Sequence, residues 1–465
     1  MFNDPVVLSR LLTGLTLAFH IIFATIGVGV PLMVLAAEFI GLKRKDPDYI
    51  LLARRWTRGY VVTVAVGVVT GTAIGLQLSL LWPSLMQVAG QTIALPLFME
   101  TFAFFFEAIF LGIYLYTWDR FKNPWLHWLI GIPVVIGATA SAFFITTVNS
   151  FMNSPEGFKI VNGTLTQIEP LKAMFNTATP TKATHVIVSA YLTVAFILAA
   201  IAAFHLLRKK TLSAAETAYH KKALRLTVMA GLIFAFSTAL VGDFSGKYLA
   251  KYQPEKLAAA EWHFETTSEA ELIFGGILDQ QEDGSYEIKG AVKIPYALSI
   301  LAGGAPDTEV IGLNEFAKED QAPLIVHYFF DIMVSIGMYL AAISALFILA
   351  FRLKKLNPYN KWILRGIFIG GPLAMISIEA GWMYAEIGRQ PWTLYGIMRT
   401  ADAATTSTAV GPMLILFSAL YLMLGTICTV VLLRMFKKNP VGKELQELAE
   451  NHHARGEAMF VDDNK

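Results

Sequence analysis

Acidic residues inside apolar stretches are the most chemically informative feature of this sequence. Glu100 and Glu107 lie seven residues apart in one stretch, and Glu379 and Glu386 repeat that spacing in another, with Trp382 between them. At 3.6 residues per turn, residues seven apart fall on nearly the same face of a helix. A carboxylate inside a membrane helix is costly unless it has a partner or a proton, so these pairs indicate proton or cofactor chemistry.

Three other residues could bind a metal. His185 opens an apolar stretch, Met333 lies inside another, and His20 lies in the first. A His–Met pair gives a low-spin haem a raised potential, although a lone His is more often a satisfied core residue and Met commonly fills gaps in cores. At about 1.5 Å per residue, Met333 lies roughly 15 Å along its helix from Pro323. His185 would reach a similar depth, as a shared haem requires, if its helix began near Pro180. A tilted helix could also compensate for the difference in depth between the two residues.

A polar sequence ends the apolar stretch that carries Glu379. Glu386 is followed by Gly388, Arg389 and Pro391. Gly just past a helix end, with Pro soon after, is typical of a C-terminal stop. Trp, Tyr and Arg also collect where helices leave a bilayer, so the aromatic residues here are equally consistent with an interfacial anchor. A carboxylate beside an arginine in the last turn favours a functional site.

Membrane helices are the elements that must position these residues. Of the 465 residues, 55% are apolar and 15% are charged, and the mean hydropathy is +0.54. These values are typical of a polytopic membrane protein, in which each span needs about 20 apolar residues. The sequence therefore predicts an all-α protein with about nine spans. The predicted spans are Leu11–Ile40, Tyr60–Trp82, Leu95–Trp118, Trp125–Val148, His185–Leu207, Leu224–Phe244, Leu324–Phe351, Ile363–Ile387 and Gly411–Phe436.

Basic residues occur in alternate connections between the predicted spans. The other short connections, Pro83–Ala94 and Phe151–Thr184, are poor in Lys and Arg. The positive-inside rule then puts the N-terminus outside and the C-terminus in the cytoplasm. Basic residues confined to such short clusters argue against a nucleic-acid partner. The basic connections are 43–58, 120–122, 208–222, 352–361 and 434–438.

Five candidate residues share one side of the membrane in this topology. They are His20, Glu100, His185, Met333 and Glu386, each in the outer half of its predicted span. Scattered core residues have no reason to share one depth. Convergence of this kind is what a cofactor cluster inside a helix bundle requires.

The predicted spans divide the chain into four segments. Residues 1–244 contain six spans, 245–322 form an extracytoplasmic loop, 323–438 contain three spans and 439–465 form a charged cytoplasmic tail. The loop is long enough to indicate function, and a helix is predicted at Pro254–Glu265.

A histidine pair and a single cysteine add little to the functional prediction. His452 and His453 could bind a metal, although a solvated tail is the simpler interpretation. The single cysteine, Cys428, excludes intrachain disulfides and cysteine-ligated iron–sulfur clusters.

A family resemblance rests on the polar motif. Its parts are Gly381-Trp382, Ala385-Glu386 and Gly388-Arg389-Gln390-Pro391-Trp392. This string resembles the most distinctive motif of subunit I of cytochrome bd-type quinol oxidases, and the likeness in span count, orientation and outer loop covers nearly the whole chain. The resemblance implies a subunit of the bacterial cytoplasmic membrane that oxidises quinol at the outer face. It also implies reduction of O2 to water with cytoplasmic protons, which generates a proton motive force.

The same resemblance implies haem ligands. His185 and Met333 are similar to the axial ligands of a low-spin haem b. His20, Glu100 and Glu386 are similar to the residues around the irons of a high-spin pair, a second haem b with a haem d or a third haem b. The resemblance does not decide which of these residues serves which iron.

Other roles are implied residue by residue. Glu107 resembles a proton-conducting carboxylate and Trp382 an electron-path aromatic, while Arg389 is similar to a partner for Glu386 or for a haem propionate. In the loop, the segment from Lys256 to Glu261 is similar to the quinol-oxidising segment. A base in reach of a quinol hydroxyl would accept its proton as the electron leaves.

The resemblance also implies partners and contains one departure. A homologous membrane subunit II and a small single-span subunit are expected beside the lipid bilayer, quinol and O2. Many relatives carry Arg two residues before the ligating Met, where this chain has Asp331. The loop resembles the shorter form in the family, which leaves ubiquinol and menaquinol both open.

Two other classes compete with the oxidase. A proton-coupled secondary transporter also uses membrane carboxylates, but it predicts paired broken helices and a site at the midplane. A haem–copper oxidase needs more histidines within the membrane than His20, His185, His205 and His327. A coloured protein with b-type bands would exclude the transporter.

Overall fold

The fold is an all-α bundle, seen in a computed structural model that describes residues 4–161, 164–208, 212–282, 284–353 and 356–454. Within these residues, nine helices are long and apolar enough to cross a membrane, which confirms the predicted polytopic architecture. The first half contains α1 (Pro5–Arg44), α2 (Pro47–Leu81), α3 (Pro83–Tyr116), α4 (Pro124–Asn153), β1 (Lys159–Val161), β2 (Thr164–Thr166), α5 (Pro170–Met174), α6 (Thr179–Leu207) and α7 (Ala214–Tyr252).

The second half begins with a connection that carries four of the eight strands in the described residues. Its elements are α8 (Pro254–Ala260), β3 (Leu272–Phe274), β4 (Ile277–Gln280), β5 (Tyr286–Lys289), β6 (Val292–Ile294), α9 (Ala297–Gly303), α10 (Val326–Arg352), α11 (Lys361–Ile387), β7 (Trp392–Leu394), β8 (Met398–Arg399), α12 (Thr400–Ala403), α13 (Val410–Lys438) and α14 (Val441–Ala454). Parts of two predicted basic connections, 209–211 and 354–355, and the side chains of His452 and His453 lie outside the described residues.

The helices extend beyond the predicted spans at most ends. Each of α1 to α4 begins with Pro at its first position, and Asp4, Asp46 and Asn123 cap three of them through a side-chain oxygen. Pro suits the first turn because its missing N–H would have no helical partner there. The predicted connection Pro83–Ala94 is therefore wrong, since these residues form the first turns of α3.

The predicted loop boundary at Ser245 is also wrong, because α7 continues to Tyr252. The predicted helix Pro254–Glu265 is shorter and ends at Ala260. Trp262 has a φ of 46°, a left-handed conformation that stops the helix. Hydropathy reports only the part of a helix that meets hydrocarbon, so polar helical ends escape it.

Helix α6 is the most buried span and packs against α1, α4, α7 and α11. Close approach depends on small residues, as expected between membrane helices. A Cβ added at Gly371 on α11 would stand 2.5 Å from the Ala200 Cβ on α6. Helix α13 lies at the periphery and packs on α1 and α2.

The segment 253–325 covers one end of the bundle, which we call the loop end. Strand β3 pairs with β6 and β4 pairs with β5, all antiparallel. Beneath the strands, α8 and α9 bury an apolar cluster against the first turn of α10, including Leu257, Leu298, Leu313 and Val326. This packing fixes α8 against the ends of α10 and α11.

Candidate functional site

Residues from α8 and α11 form a buried polar group at the loop end. Lys256 is 2% exposed, its ammonium donates a hydrogen bond to the Ala385 carbonyl at 3.1 Å, and it lies 5.0 Å from the centre of the Tyr384 ring. A Cβ at Gly388 would stand 2.7 Å from Lys256 Cε. Gly388 has a φ of −69°, so it is required for this close approach and not for the left-handed helix stop that its position predicted.

Glu261 lies at the C-terminal end of α8 and is fully buried. Among the described residues, neither of its carboxylate oxygens accepts a hydrogen bond of normal geometry, although the Ile273 backbone N–H lies close enough to favour the ionised form. The Tyr384 hydroxyl is also buried without a partner. Burial, and then the nearby Asp331 carboxylate, raise the pKa of Glu261 to about 8. Burial likewise lowers the pKa of Lys256 to about 8. Tyr384 connects the two residues of α8: Lys256 lies against its ring, and its unpartnered hydroxyl and the unpartnered Glu261 carboxylate have unused hydrogen-bonding capacity.

Asp331 stands where the family resemblance leads us to expect Arg. It binds the segment 253–325 to the start of α10. Its carboxylate accepts a hydrogen bond from the Gly275 backbone N–H at 2.6 Å and lies 3.3 Å from His327 Nε2. The other nitrogen of His327 lies 2.7 Å from the Ala260 carbonyl. Asp331 and His327 thus join the first turns of α10 to both the strands and the end of α8.

Glu386 is held by two neighbours, Arg389 and Asn149. Arg389 donates to one carboxylate oxygen at 2.5 Å and Asn149 donates to the other at 2.6 Å, while Arg389 also donates to the Thr393 carbonyl at 2.7 Å. The predicted pairing of Arg389 with Glu386 is present. Because both Glu386 oxygens are already used, its predicted role as an iron ligand stays a prediction and has a competitor in Glu379.

Glu379 lies two turns earlier on α11 and has one buried carboxylate oxygen with no partner among the described residues. The sequence showed its spacing but did not place it in the site. Trp382, half-buried, lies between the two glutamates. The unsatisfied carboxylate is therefore Glu379, while Glu386 supports the end of the helix.

His185 and Met333 lie at similar distances from the starts of their helices. Helix α6 begins at Thr179 and α10 begins at Val326, so the two residues are six and seven positions into their helices, or about 9 and 10 Å at roughly 1.5 Å per residue. The expectation that a shared haem favours a His185 helix beginning near Pro180 is met.

Glycines of neighbouring helices face both side chains. A Cβ at Gly242 would stand 3.7 Å from the His185 ring, and one at Gly381 would stand 3.0 Å from the Met333 sulfur. The His185 Nδ1 atom is buried and lacks a partner within the described chain. An unpartnered imidazole and a thioether beside small residues fit a haem with His–Met ligation.

His20 has one nitrogen already engaged. Its Nδ1 lies 2.9 Å from the Thr70 hydroxyl, and that hydroxyl donates to the Val66 carbonyl at 3.0 Å. The Thr70 oxygen therefore accepts the Nδ1 proton, which leaves Nε2 with a free lone pair. A Cβ at Gly71 would stand 3.2 Å from the same ring. Fixing one nitrogen by a second residue is the usual arrangement for an imidazole that binds iron through the other.

Glu100 and Glu107 occupy one face of α3. Ser141 donates to Glu100 at 2.9 Å, and the Tyr60 hydroxyl donates to the buried Glu107. Glu100 lies at the middle of α3, because the helix begins at Pro83, and its position in the outer half of the membrane span stays a prediction. Both carboxylates have partners, as their cost inside a bilayer requires.

The sequence comparisons identify the family. Residues 8–440 match the family model described as "Cytochrome bd terminal oxidase subunit I". The chain belongs to this family. It is 43% identical to the "Putative cytochrome bd menaquinol oxidase subunit I" of Bacillus subtilis (strain 168), over 95% of this chain and 99% of that protein. It is 34% identical to the "Cytochrome bd ubiquinol oxidase subunit 1" of the same organism, over 97% and 96%.

A solved structure agrees with this assignment. "The structure of bd oxidase from Geobacillus thermodenitrificans" contains a chain that is 59% identical, with a TM-score of 0.89 over 94% of this chain and 99% of that one. The bd-family chain described here is therefore a membrane subunit of a respiratory quinol oxidase, an oxidoreductase for which haem cofactors, a quinol substrate and a subunit II are expected.

Besides Glu379, three residues of the bd subunit's candidate site were missed from the sequence. Tyr384 lies inside the recognised motif and could have been noticed there as an unassigned aromatic. Thr70 and Asn149 carry no such signal, because single Thr and Asn residues are common in membrane helices and their contacts cross between helices distant in sequence.

Proposed function

We propose that this chain carries the haems and the quinol site of a bd-type terminal oxidase. One observation supports the quinol site above others: Glu261 is buried with both oxygens unpartnered beside the unpartnered Tyr384 hydroxyl. A burial of this kind is unfavourable unless a ligand completes the hydrogen bonds. A quinol headgroup, with two hydroxyls across an apolar ring, has the complementary chemistry.

Quinol oxidation then follows from the two ionisable groups. The Glu261 carboxylate accepts a proton from one quinol hydroxyl as an electron leaves, and the Lys256 ammonium donates a hydrogen bond to the other oxygen. Glu261 releases this first proton to the outer side and then accepts the second, and loss of two electrons to bound haem leaves the quinone. Tyr384 donates to the headgroup and shields the pair from water.

The residues suited to hold haem lie just beneath this site. His185 and Met333 would hold a low-spin haem b, and His20 with Glu100, Glu379 or Glu386 would hold the high-spin pair, a second haem b with a haem d or a third haem b. Bound haem supplies electron transfer and O2 reduction, while the protein supplies ligation and position. Thr70 keeps the His20 ring in the tautomer that can bind iron. Trp382, between the two glutamates of α11, is suited to electron passage.

Proton release and proton uptake on opposite sides of the membrane would allow the reaction to store energy. The basic connections support a cytoplasmic location for the end opposite the loop, in the bacterial cytoplasmic membrane. Quinol protons would leave outside, while Glu107 relays cytoplasmic protons for water formation. Each electron then moves one charge across the membrane and contributes to the proton motive force. A subunit II and a small single-span subunit would complete the complex.

The decisive experiment separates quinol oxidation from the later steps. Glu261→Gln should abolish quinol-driven O2 consumption but preserve O2 consumption driven by a one-electron phenylenediamine donor, with unchanged haem bands. The matched control is Glu265→Gln, which alters an exposed carboxylate of the same connection. Full quinol activity in Glu261→Gln would refute the assigned base, and a colourless wild-type protein would refute the oxidase.

A further inference from the structure

A second buried polar cluster lies at the end of the bundle opposite the loop. Glu38 near the end of α1, Tyr114 near the end of α3 and His127 near the start of α4 are each 2–3% exposed. His127 Nδ1 lies 2.6 Å from one Glu38 oxygen, and the Tyr114 hydroxyl donates to the other at 2.6 Å. None of these three residues is used by the quinol or haem sites.

The hydrogen bonds of this cluster require a shared proton. His127 Nε2 lies 3.0 Å from the Tyr114 backbone carbonyl, which can only accept, so Nε2 carries a proton. The short contact between Nδ1 and Glu38 needs one more proton, on either the ring or the carboxylate. The Glu38–His127 pair therefore stores a proton that can move between two groups.

A small cavity links this cluster to Glu107. It has a volume of about 10 Å³ and is lined by Thr57, Tyr60 and Tyr114 together with apolar residues. That volume is close to the roughly 10–15 Å³ that one water needs, and three hydroxyl-bearing residues can hold it. On the far side of the cavity, the Tyr60 hydroxyl donates to Glu107.

Three polar residues of this series lie on one face of α3. Tyr114, Glu107 and Glu100 are spaced by seven residues and lie on nearly one face of the helix. Successive members are separated by about 10 Å along the axis, and between Tyr114 and Glu107 this gap can be spanned by Tyr60 and one water. The polar groups from Glu38 to Glu107 thus form a series that runs from the basic end of the bundle toward its centre.

We propose that Glu38 and His127 form the proton-loading site of the oxidase, and that Tyr114, one cavity water and Tyr60 pass protons from it to Glu107. Each hydroxyl in the series accepts one proton and releases one, so no net charge stays on Tyr114, the water or Tyr60. The Glu38–His127 pair regains its proton from the cytoplasm. This inference rests on the proposed function and extends it to the entry of protons.

A purely structural role would be a clamp between the ends of α1, α3 and α4. Such a clamp predicts losses of stability or haem content when it is altered. A proton relay instead predicts slower proton uptake in a folded, fully haem-loaded enzyme. Glu38→Gln suits this distinction because its amide retains hydrogen-bonding groups for Tyr114 and His127 but cannot exchange a proton.

The test uses the whole purified oxidase, reduced and then exposed to O2, with a pH-indicator dye reporting proton uptake. Glu38→Gln should slow uptake on the order of 10²-fold, the lower end of what proton-transferring side chains contribute. Thr57→Val removes a hydroxyl from the cavity and should also slow proton uptake. Glu107→Leu should slow proton uptake as much as Glu38→Gln does. The haem spectrum and the initial O2-binding phase should be unchanged. Glu444→Gln is the control, because it removes another carboxylate near the same end, bound by Arg55 and Arg58.

The outcomes separate this inference from the proposed function. Normal uptake in Glu38→Gln and Thr57→Val, with slow uptake in Glu107→Leu, would overturn the entry site and leave the oxidase assignment intact. Normal uptake in all three would overturn the entire relay. If Glu38→Gln lost its haem, proton uptake in Thr57→Val and Tyr60→Phe would decide whether the relay exists, since these variants leave the Glu38–His127 pair in place. Normal uptake in both would overturn the relay. Absence of quinol-driven O2 reduction in the wild type would refute the proposed function itself.

Discussion

At the scale of single residues, the same side chain serves opposite purposes in different surroundings. Glu386 has both oxygens occupied by Arg389 and Asn149, whereas Glu261 has neither occupied among the described residues. The first environment stabilises a fixed anion that supports the structure. The second raises the proton affinity of the carboxylate and leaves it available to a ligand. Sequence alone shows two glutamates and cannot distinguish these environments.

The pKa values at the quinol site predict a narrow pH optimum. Glu261 must be ionised to accept a proton, so kcat/KM for quinol should rise about tenfold per pH unit until its pKa near 8. Lys256 must be protonated, so activity should fall above its own pKa near 8. Lys256→Arg should remove the alkaline fall and keep the acid limb, because Arg stays charged. An acid limb that survives in Glu261→Gln would assign that limb to another group.

The two glutamates of α11 should respond differently to the same change. Glu379→Gln should alter the spectrum of the high-spin haems with little change in melting temperature. Glu386→Gln leaves the Arg389 guanidinium without its anion and should lower the free energy of unfolding by about 1–3 kcal/mol. That loss is smaller than for a fully buried pair because the Glu386 side chain is 25% exposed. Optical spectra and thermal melts of both variants test this, and reversed phenotypes would make Glu386 the ligand.

At the scale of elements, hydropathy located all nine long apolar helices found in the described residues, but not their ends. The basic residues Arg54, Arg55 and Arg58 interrupt the apolar pattern, yet they lie within α2, which begins at Pro47. Polar helical turns outside the hydrocarbon are stabilised by caps and by packing, which hydropathy does not measure. The contacts of α8 with α11 were equally hidden, because they depend on how a long connection folds back.

The close approach of α8 and α11 predicts a specific effect at Gly388. In Gly388→Ala the new methyl group would stand 2.7 Å from Lys256 Cε and 2.6 Å from the Tyr384 carbonyl, so Lys256 must move. Overpacking of this kind typically destabilises a site by about 1–3 kcal/mol. If about 1.4 kcal/mol of this is lost from quinol binding, the KM for quinol should rise roughly tenfold. The bands of the proposed low-spin haem should stay unchanged, since His185 and Met333 are distant from Gly388 in the sequence and neither is among the atoms nearest its added Cβ. Gly337→Ala is the matched control, because no atom lies within 4 Å of its added Cβ. Equal KM values in the two variants would contradict the contact.

At the scale of the whole molecule, the two buried polar systems lie at opposite ends of one bundle. Glu261 and Lys256 lie at the loop end, and Glu38 and His127 lie at the other. The sequence predicted the first pair through family resemblance and the helical face of Glu100 and Glu107 through spacing. It could not predict the second pair, since Glu38 and His127 are 89 positions apart and meet only because α1 packs against α4. Under the proposed function, this packing separates proton release at the loop end from proton uptake at the opposite end.

This separation predicts how the oxidase responds to voltage. In vesicles with the loop end facing outward, quinol oxidation should acidify the exterior and make the interior alkaline, with about one charge moved per electron. An opposing potential of about 100 mV adds roughly 2.3 kcal/mol for each charge, so turnover should slow as the potential builds. An ionophore that collapses the potential should restore the initial rate, whereas vesicles with Glu38→Gln should stay slow because their limit is proton entry. Exterior alkalinisation under the same conditions would reverse the orientation, and turnover indifferent to voltage would place both proton events on one side of the membrane.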